Sequence, residues 1–225
     1  MERKEKLVNG GVYHILTKSI AGYNVFNKDN DYQRILDVIK YYQNKDVTLS
    51  YSKYYNLTNQ FKESIDEQLY SPPRKLIVQI IAFCLMPTHI HLILKQLADN
   101  GISIFMRNIL NSYSHYFNLL HQRKGPLWEG KFKNILVEND NQLLHLTRYI
   151  HLNPSSAGLV KNPQDWKYSS YNEYIGANEQ SSKIADYNEI LDIRPGYYKQ
   201  FVEERKDYQK LISKIKKVLL ENYHG

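Results

Sequence analysis

The stretch of residues 76–94, LIVQIIAFCLMPTHIHLIL, decides the fold. Its first part, Leu76–Leu85, is an almost continuous run of apolar and β-branched residues, the pattern typical of a central strand covered on both faces. Met86-Pro87-Thr88 then predicts a reversal of the chain. We therefore expect two adjacent strands, the first of them fully buried.

Beyond the turn, the second strand carries two histidines in alternate positions. Side chains alternate between faces along a strand, so His89, His91 and Ile93 share one face. The residues of the other face are Ile90, Leu92 and Leu94. We expect the apolar set to lie in the core and the histidine set to face a site.

On either side of these strands, hydrophobic periodicity predicts further strands and helices. The N-terminal predictions are a strand at Gly11–Thr17, a helix at about Asp31–Tyr42 with Ile35, Leu36 and Ile39 buried, and a polar, tyrosine-rich, partly helical insertion at 46–74. The C-terminal predictions are a helix with Ile102, Phe105, Ile109, Tyr113, Tyr116 and Leu120 on one face, a strand at Lys131–Val137, and a helix capped by Asn139 or Asp140 that Pro154 ends after Leu152. This order predicts an α+β fold, a ferredoxin-like or RRM-like antiparallel sheet with helices packed on it, plus a helical C-terminal extension.

The composition favours a soluble intracellular protein with a polyanionic partner. Lys and Arg number 30 against 23 Asp and Glu, a formal net charge of +7, which favours nucleic acid without identifying it. The single cysteine, Cys84, excludes an internal disulfide and a cysteine-built zinc cluster. The N-terminal residues lack the apolar core of a secretory signal, and no stretch approaches the ~20 apolar residues that span a bilayer. We expect a cytoplasmic, nucleoid-associated protein with no membrane partner.

His89 and His91 predict a metal site, because two imidazoles on one strand face can converge on one ion. Two surface histidines on a half-exposed strand would give the same pattern. Tyr149 and Asn153 lie four residues apart in the last core helix and share a helix face, with His145 one turn earlier. The side-chain oxygen of Asn153 suits Mg²⁺ or Mn²⁺ as a third ligand. For Tyr149, the alternative is an ordinary half-buried helix tyrosine.

The segment GPLWEGKFK, residues 125–133, mixes aromatic and basic side chains. Such a mixture can stack bases and neutralise phosphates. It can equally be an edge strand with solvated lysines and a core tryptophan. The residues expected to contact DNA are Lys124, Trp128, Lys131, Lys133 and, in the last core helix, Arg148.

Four segments in order, LMPTHIHLIL, GPLWEGKFKNILVEN, YIHLNPSSAGLV and WKYSSYNEYIG, resemble the REP-associated tyrosine transposases, relatives of the small transposases of single-strand insertion elements. The resemblance extends from Gly10 to about Arg205. It implies a catalytic domain at 1–180, followed by a helical basic extension at 181–225. Two features depart from the family pattern: the long 46–74 segment and the basic tail beyond Arg205.

The resemblance also implies roles for the site residues. His89 and His91 match the family's HUH motif, in which two histidines flank one hydrophobic residue and hold a metal ion. Tyr149 matches the tyrosine that forms a 5′-phosphotyrosine link to DNA, and Asn153 is then the candidate third ligand. The implied function is metal-dependent cleavage and rejoining of single-stranded, hairpin-forming DNA by a transposase, whose assembly as a homodimer is left open.

Two other functions fit the same residues. A non-catalytic single-stranded nucleic-acid-binding module on an RRM-like sheet would use the aromatic and basic residues alone. A metal-dependent phosphoesterase would activate water and leave Tyr149 a bystander. Only a tyrosine nucleophile leaves protein covalently attached to DNA, so trapping the product separates the three. The sequence contains no P-loop, in keeping with a phosphoester exchange that needs no ATP.

Overall fold

The decisive stretch forms the predicted pair of strands, β2 (Val78–Met86) and β3 (His89–Gln96), on either side of a two-residue turn. The structure is a computed structural model that describes residues 6–177, 183–207 and 209. Every residue of β2 is buried, including Gln79, as its almost continuous apolar pattern predicts. In β3 the alternation is less complete than predicted, because Ile93 on the histidine face is as fully buried as the apolar set.

The two strands belong to a four-stranded sheet completed by β1 (Val12–Lys18) and β4 (Lys133–Leu136), in the order β2-β3-β1-β4. β1 pairs antiparallel with β4, and Tyr13 lies opposite Leu136. Helix α1 (Asp29–Tyr42) lies between β1 and β2 in the chain, and helix α4 (Gly101–Leu120) lies between β3 and β4. The strand order and the helix placement are those of a ferredoxin-like fold. The predicted fold class is therefore confirmed.

The prediction that the first apolar run is a central strand is wrong, since β2 lies at the edge of the sheet. Its pattern is still explained, because the outer hydrogen-bonding edge of β2 is covered by chain rather than by water. Covering an edge in this way satisfies strand groups that would otherwise be open to pairing with another molecule. The bonds run from Ser170 N to Phe83 O (3.0 Å), from Leu85 N to Tyr168 O (2.9 Å) and from Asp186 N to Ile80 O (2.8 Å).

The helices agree with the periodicity of the sequence except at the end of α4, where Leu120, predicted on the buried face, is 56% exposed because the helix ends there. Within the described residues they are α1 (Asp29–Tyr42), α2 (Tyr51–Tyr55), α3 (Asn59–Tyr70), α4 (Gly101–Leu120), α5 (Asp140–Ser156), α6 (Tyr171–Tyr174) and α7 (Pro195–Glu203), with short 3₁₀ turns at Ile20–Gly22 and Pro163–Asp165. α2 and α3 make the 46–74 segment partly helical, as expected. Ile35 and Ile39 of α1 are buried, whereas Leu36 is only half-buried.

Helix α5 begins where the sequence predicts and ends later. The side chain of Asn139 accepts a hydrogen bond from the amide of Gln142 at 2.9 Å, which caps the first turn. The prediction that Pro154 ends the helix is wrong, because α5 continues to Ser156 with the proline inside it. A proline removes one backbone donor, but the last turn is held by the Ala157 amide, which donates to the Asn153 carbonyl at 2.9 Å.

The chain divides into two compact units. The first comprises Met1–Gln79, Pro87–Ile90 and Leu94–Leu136. Its aromatic core brings Phe26, Tyr113 and Trp128 within 6.3 Å of one another, centroid to centroid. In the first unit, α1 packs on α4.

The second unit comprises Ile80–Met86, His91–Ile93 and Val137–Gly225, and there α5 packs on α7. The predicted boundary near residue 180 lies in 178–182, and most of the basic tail lies in 210–225; both stretches are outside the described residues. The division into domains at 1–180 and 181–225 stays a prediction. In the part of the chain that the structure describes, no helix is long and apolar enough to cross a membrane.

Candidate active site

The two histidines of the predicted metal site lie on strand β3, two positions apart. Alternation along the strand places both side chains on one face, with Ile90 directed to the other. His91 is 5% exposed and His89 is half-buried. The strand therefore positions the pair as the sequence predicts, and their role as metal ligands stays a prediction.

His89 is held in its neutral form. Burial, with a smaller contribution from the charge of Lys18, lowers the pKa of its imidazole to about 4. The ring Nδ1 lies 2.9 Å from the hydroxyl oxygen of Thr88. A neutral imidazole is the form that binds a cation, since a protonated ring has no lone pair to offer.

Tyr149 and Asn153 both lie within α5, one helical turn apart and on the same face. The phenol ring of Tyr149 meets the imidazole of His91 edge to face, with the centroids 6.1 Å apart and the planes at 85°. The tyrosine residue as a whole is 42% exposed. Burial of the rest of the ring raises the pKa of the phenol. A histidine of β3 and the candidate nucleophile of α5 are thus brought together.

Gln209 is a member of this cluster that sequence reasoning missed. Its Nε2 donates to the Tyr149 carbonyl at 2.9 Å and to Oδ1 of Asn153 at 3.3 Å. Its position, 56 residues beyond Asn153 in a polar stretch, carries no motif that could have identified it. Gln209 therefore links a distant part of the sequence to the helix that carries the candidate nucleophile.

The amide of Asn153 suits the role of a cation ligand. Its Oδ1 accepts a hydrogen bond from Gln209 at 3.3 Å. An amide oxygen has two lone pairs, so the bond from Gln209 leaves one of them available. Imidazole nitrogens and amide oxygens are ligand types that Mg²⁺ or Mn²⁺ accepts. The residues present are therefore compatible with the predicted divalent metal ion.

His151, a fully buried imidazole, holds α5 against neighbouring elements through hydrogen bonds. His151 lies 2.7 Å from the hydroxyl of Tyr198 through Nδ1 and 2.8 Å from the hydroxyl of Ser170 through Nε2. Burial lowers the pKa of His151 to about 3, so the ring is neutral and can accept at one nitrogen and donate at the other. The Ser170 hydroxyl also accepts from the amide of Phe83 in β2 at 2.9 Å. This network connects α5, α7 and β2.

His145 and Arg148 lie near the outer surface of α5. A guanidinium nitrogen of Arg148 donates to Nδ1 of His145 at 2.7 Å, and another donates to the Phe201 carbonyl at 3.2 Å. The guanidinium carbon also lies 4.0 Å from the centroid of the Phe201 ring. Arg148 thus binds α7 in this structure, and its predicted contact with DNA stays a prediction.

The residues predicted to contact DNA in the 124–133 segment separate into two groups. Lys124, Lys131 and Lys133 are exposed, as phosphate-binding lysines must be. Trp128 is only 7% exposed, and its indole N–H donates to the Leu110 carbonyl at 3.3 Å. A base can stack only on an exposed ring face, so this burial favours the core role for the tryptophan over stacking.

These elements recur in known proteins. A family model described as "Transposase IS200 like" matches residues 47–153, a range that includes β2, β3 and α5 as far as Asn153. A protein of Haemophilus influenzae named as a REP-associated tyrosine transposase is 30% identical over 110 residues, which cover 44% of this chain and 62% of that protein. The REP-associated tyrosine transposase of Escherichia coli is 27% identical over 99 residues, 43% of this chain and 56% of that protein.

The chain is related to the REP-associated tyrosine transposases. It spans about 62% and 56% of the length of these two curated transposases. A solved structure of a REP-associated tyrosine transposase bound to a REP hairpin covers 86% of this chain and 99% of its own, with a TM-score of 0.54 and 17% identity. At that identity the likeness to this transposase is one of fold.

Proposed function

We propose that this chain cleaves and rejoins single-stranded DNA as a metal-dependent transposase, with Tyr149 as the covalent nucleophile. The observation that carries the proposal is the contact between the Tyr149 phenol and the His91 imidazole, whose ring centroids lie 6.1 Å apart. Asn153 lies one turn beyond Tyr149 in α5. The relation to the tyrosine transposases supports it. Tyr149 is also 42% exposed, whereas a tyrosine that served only to pack the core would be more fully covered.

The reaction exchanges one phosphoester for another. The Tyr149 oxygen attacks the scissile phosphorus and loses its proton, a P–O bond to the tyrosine forms, and the P–O3′ bond breaks. The leaving 3′ oxygen takes up a proton and becomes a free hydroxyl, while the 5′ phosphate stays on the protein. Because the two esters have similar energies, attack by a second 3′ hydroxyl reverses the step and rejoins DNA. An unperturbed phenol has a pKa of about 10, and burial raises that of Tyr149 further.

His89, His91 and Asn153 would hold the divalent metal ion. When bound, such an ion stabilises the charge that develops on the scissile phosphate. The neutral state of His89 and the second lone pair of the Asn153 oxygen prepare this chain for that role. Gln209 orients the amide of Asn153, because its hydrogen bond fixes which atom of the amide is the oxygen.

The proposed substrate is a hairpin-forming single strand. The related solved transposase is bound to a REP hairpin, and the exposed Lys124, Lys131 and Lys133 offer phosphate contacts on this chain. A panel of labelled hairpins that differ in their flanking tetranucleotides can identify the recognition sequence.

The decisive experiment is Tyr149→Phe, incubated with Mn²⁺ and that hairpin panel. Phe keeps the ring beside His91 and removes the attacking oxygen, so DNA binding should be retained, while cleavage and the denaturant-resistant protein–DNA adduct disappear. Tyr23→Phe is the matched control, since Tyr23 is also about half exposed. It should form wild-type amounts of adduct. Cleavage by the wild type without any adduct would instead favour water as the nucleophile.

His91→Ala provides the contrast in the same assay. Loss of this imidazole should weaken metal binding and cleavage together, with partial recovery at high Mn²⁺.

If Tyr149→Phe still forms the adduct, another tyrosine is the nucleophile. Tyr113 and Tyr116 are poor substitutes, because the Tyr113 hydroxyl is buried and donates to the Val25 carbonyl and that of Tyr116 donates to Asp31. Binding with no cleavage across the panel would support a binding module.

A further inference from the structure

A cavity of about 580 Å³ lies within the first unit, where the 46–74 segment meets α1 and α4. The volume falls in the range of ~300–1,000 Å³ that small-molecule sites occupy. The side chains that matter for its chemistry are those of Gln33, Arg34, Asp37, Tyr55, Tyr116 and Leu119. None of them belongs to the candidate active site, and the function proposed above assigns them no role.

Arg34 is the cation of this cavity, and aromatic rings hold it. Its guanidinium carbon lies 4.4 Å from the centroid of Tyr51 and 5.2 Å from the centroids of both Tyr55 and Tyr116. Its Nε is buried without a hydrogen-bond partner in the described part of the chain. The guanidinium is therefore held by ring contacts, and its fork of N–H donors can pair with a ligand in the cavity.

Asp37 lies one helical turn beyond Arg34 and supplies acceptors to the same cavity. Gln33 Nε2 donates to one of its oxygens at 2.7 Å. Two carboxylate oxygens have about four lone-pair sites, so acceptor capacity remains. A simple anion such as phosphate fits poorly here, because this carboxylate would repel it.

Exposed aromatic and aliphatic side chains complete the lining of the cavity. Tyr55 is 58% exposed and Leu119 is 74% exposed. Large apolar side chains that stay open beside a charged pair offer a flat, weakly polar surface, which suits an aromatic ligand. The cavity therefore combines a planar fork of donors, a carboxylate acceptor and stacking surfaces.

We propose that this cavity binds an unpaired guanine base of a single-stranded nucleic acid. Guanine carries two acceptors, O6 and N7, on one edge, which match the paired donors of an arginine. Its N1–H and N2–H₂ donors lie on the adjacent edge and match a carboxylate. No other common base has a two-acceptor edge beside a two-donor edge. The exposed ring of Tyr55 stacks on the base.

The test uses the full chain in a chelator, so that cleavage cannot interfere, with fluorescent oligothymidines as probes. One probe is pure thymidine, and the others carry a central guanine, 7-deazaguanine or hypoxanthine. Wild type should bind the guanine probe about tenfold more tightly than pure thymidine. Loss of N7 in 7-deazaguanine, or of the amino group in hypoxanthine, should remove most of that preference. These arms need no protein variant, so they stand even if a variant fails to fold.

Variants then assign the preference to this cavity. Arg34→Gln should bind the guanine and 7-deazaguanine probes equally, and Asp37→Asn should bind the guanine and hypoxanthine probes equally. Arg107→Gln, which removes an exposed arginine outside this cavity, should lower all affinities alike and keep the preference. Tyr149→Phe should keep it too, which makes this outcome independent of cleavage.

Free guanosine monophosphate distinguishes the two sources of the base. It should compete only weakly if the cavity takes a base within a strand. Competition at the concentration of the oligonucleotide would identify a free nucleotide as the ligand and overturn the strand assignment. Equal wild-type affinity for all four probes, or a full guanine preference in Arg34→Gln, would overturn the proposal itself.

Discussion

At the scale of the residue, Glu173 of α6 is a buried carboxyl with an unusual titration. It is 3% exposed, and its Oε2 accepts from the amides of Ile184 at 3.1 Å and Ala185 at 2.8 Å. Burial outweighs these two bonds and raises the pKa of the carboxyl to about 7. Between pH 4.5 and 7 the unfolded chain is therefore ionised at this residue while the folded chain is protonated. Stability from this group is present below pH 4.5 and is lost as pH rises to 7.

Glu173→Gln should remove that loss, because glutamine keeps the shape and an acceptor oxygen without titrating. The free energy of unfolding of the variant relative to wild type should rise from pH 4.5 to pH 7, by at most ~1.4 kcal/mol per pH unit. Urea unfolding of both proteins at several pH values measures the difference. Glu189→Gln, at an exposed glutamate, should show no such trend. Parallel curves for wild type and Glu173→Gln would contradict the assignment.

How far the sequence predicts individual residues depends on whether their partners are local. His91, Tyr149 and Asn153 stand in short motifs, and the structure gathers them as those motifs suggest. Gln209 could not be predicted, because its partners lie 56 and 60 residues away and a lone glutamine in a polar stretch has no signature. Trp128 was ambiguous for a related reason: a tryptophan among lysines suits both stacking and burial, and only its contacts decide.

At the scale of the element, α5 is the scaffold of the candidate site, and its first turn depends on one side chain. Asn139 accepts the Gln142 amide at 2.9 Å, and the Gln142 side chain in turn accepts the Glu138 amide at 2.7 Å. Such a cap satisfies backbone donors that a helix leaves open at its start. The cap lies ten residues before Tyr149, so it acts on the helix and not on the chemistry.

Asn139→Ala should lower the free energy of unfolding by about 1 kcal/mol, since alanine leaves the first-turn amide without its acceptor. Asn139→Asp retains an oxygen at the same position and should unfold within a few tenths of a kcal/mol of wild type. Chemical denaturation of the three proteins measures both effects. An alanine variant as stable as the aspartate variant would show that water replaces the cap without cost.

Elements were predicted where their pattern is local and misjudged where it depends on neighbours. A run of buried residues shows that both faces of β2 are covered, but it cannot show that chain at 168–170 and 186 covers the edge as well. The extension of α5 past Pro154 likewise depends on neighbouring elements that the local sequence does not reveal. Proline lowers helix propensity by ~3 kcal/mol, and only tertiary packing, here the buried His151 with Ser170 and Tyr198, can compensate.

At the scale of the whole molecule, the net charge of +7 favours a polyanion, but a charge count does not say which cations would contact it. Lys124, Lys131 and Lys133 are exposed within ten residues of chain. By contrast, Lys75 lies 3.6 Å from Asp46, so its charge is already compensated. Binding to single-stranded DNA should therefore weaken steeply with salt, and the lysines of the 124–133 segment should account for more of that dependence than their share of the total charge.

Lys131→Gln and Lys75→Gln separate this arrangement from net charge, since each removes one positive charge from the same chain. A lysine that contacts a phosphate of a single strand adds about 0.7 to the slope of log K against log salt. The slope should thus become shallower by about 0.7 in Lys131→Gln and stay at the wild-type value in Lys75→Gln. Fluorescence anisotropy of a labelled hairpin across a salt series, in the absence of divalent metal, measures both slopes. If the two variants change the slope equally, the protein responds to its total charge alone, and the 124–133 segment is not the phosphate contact.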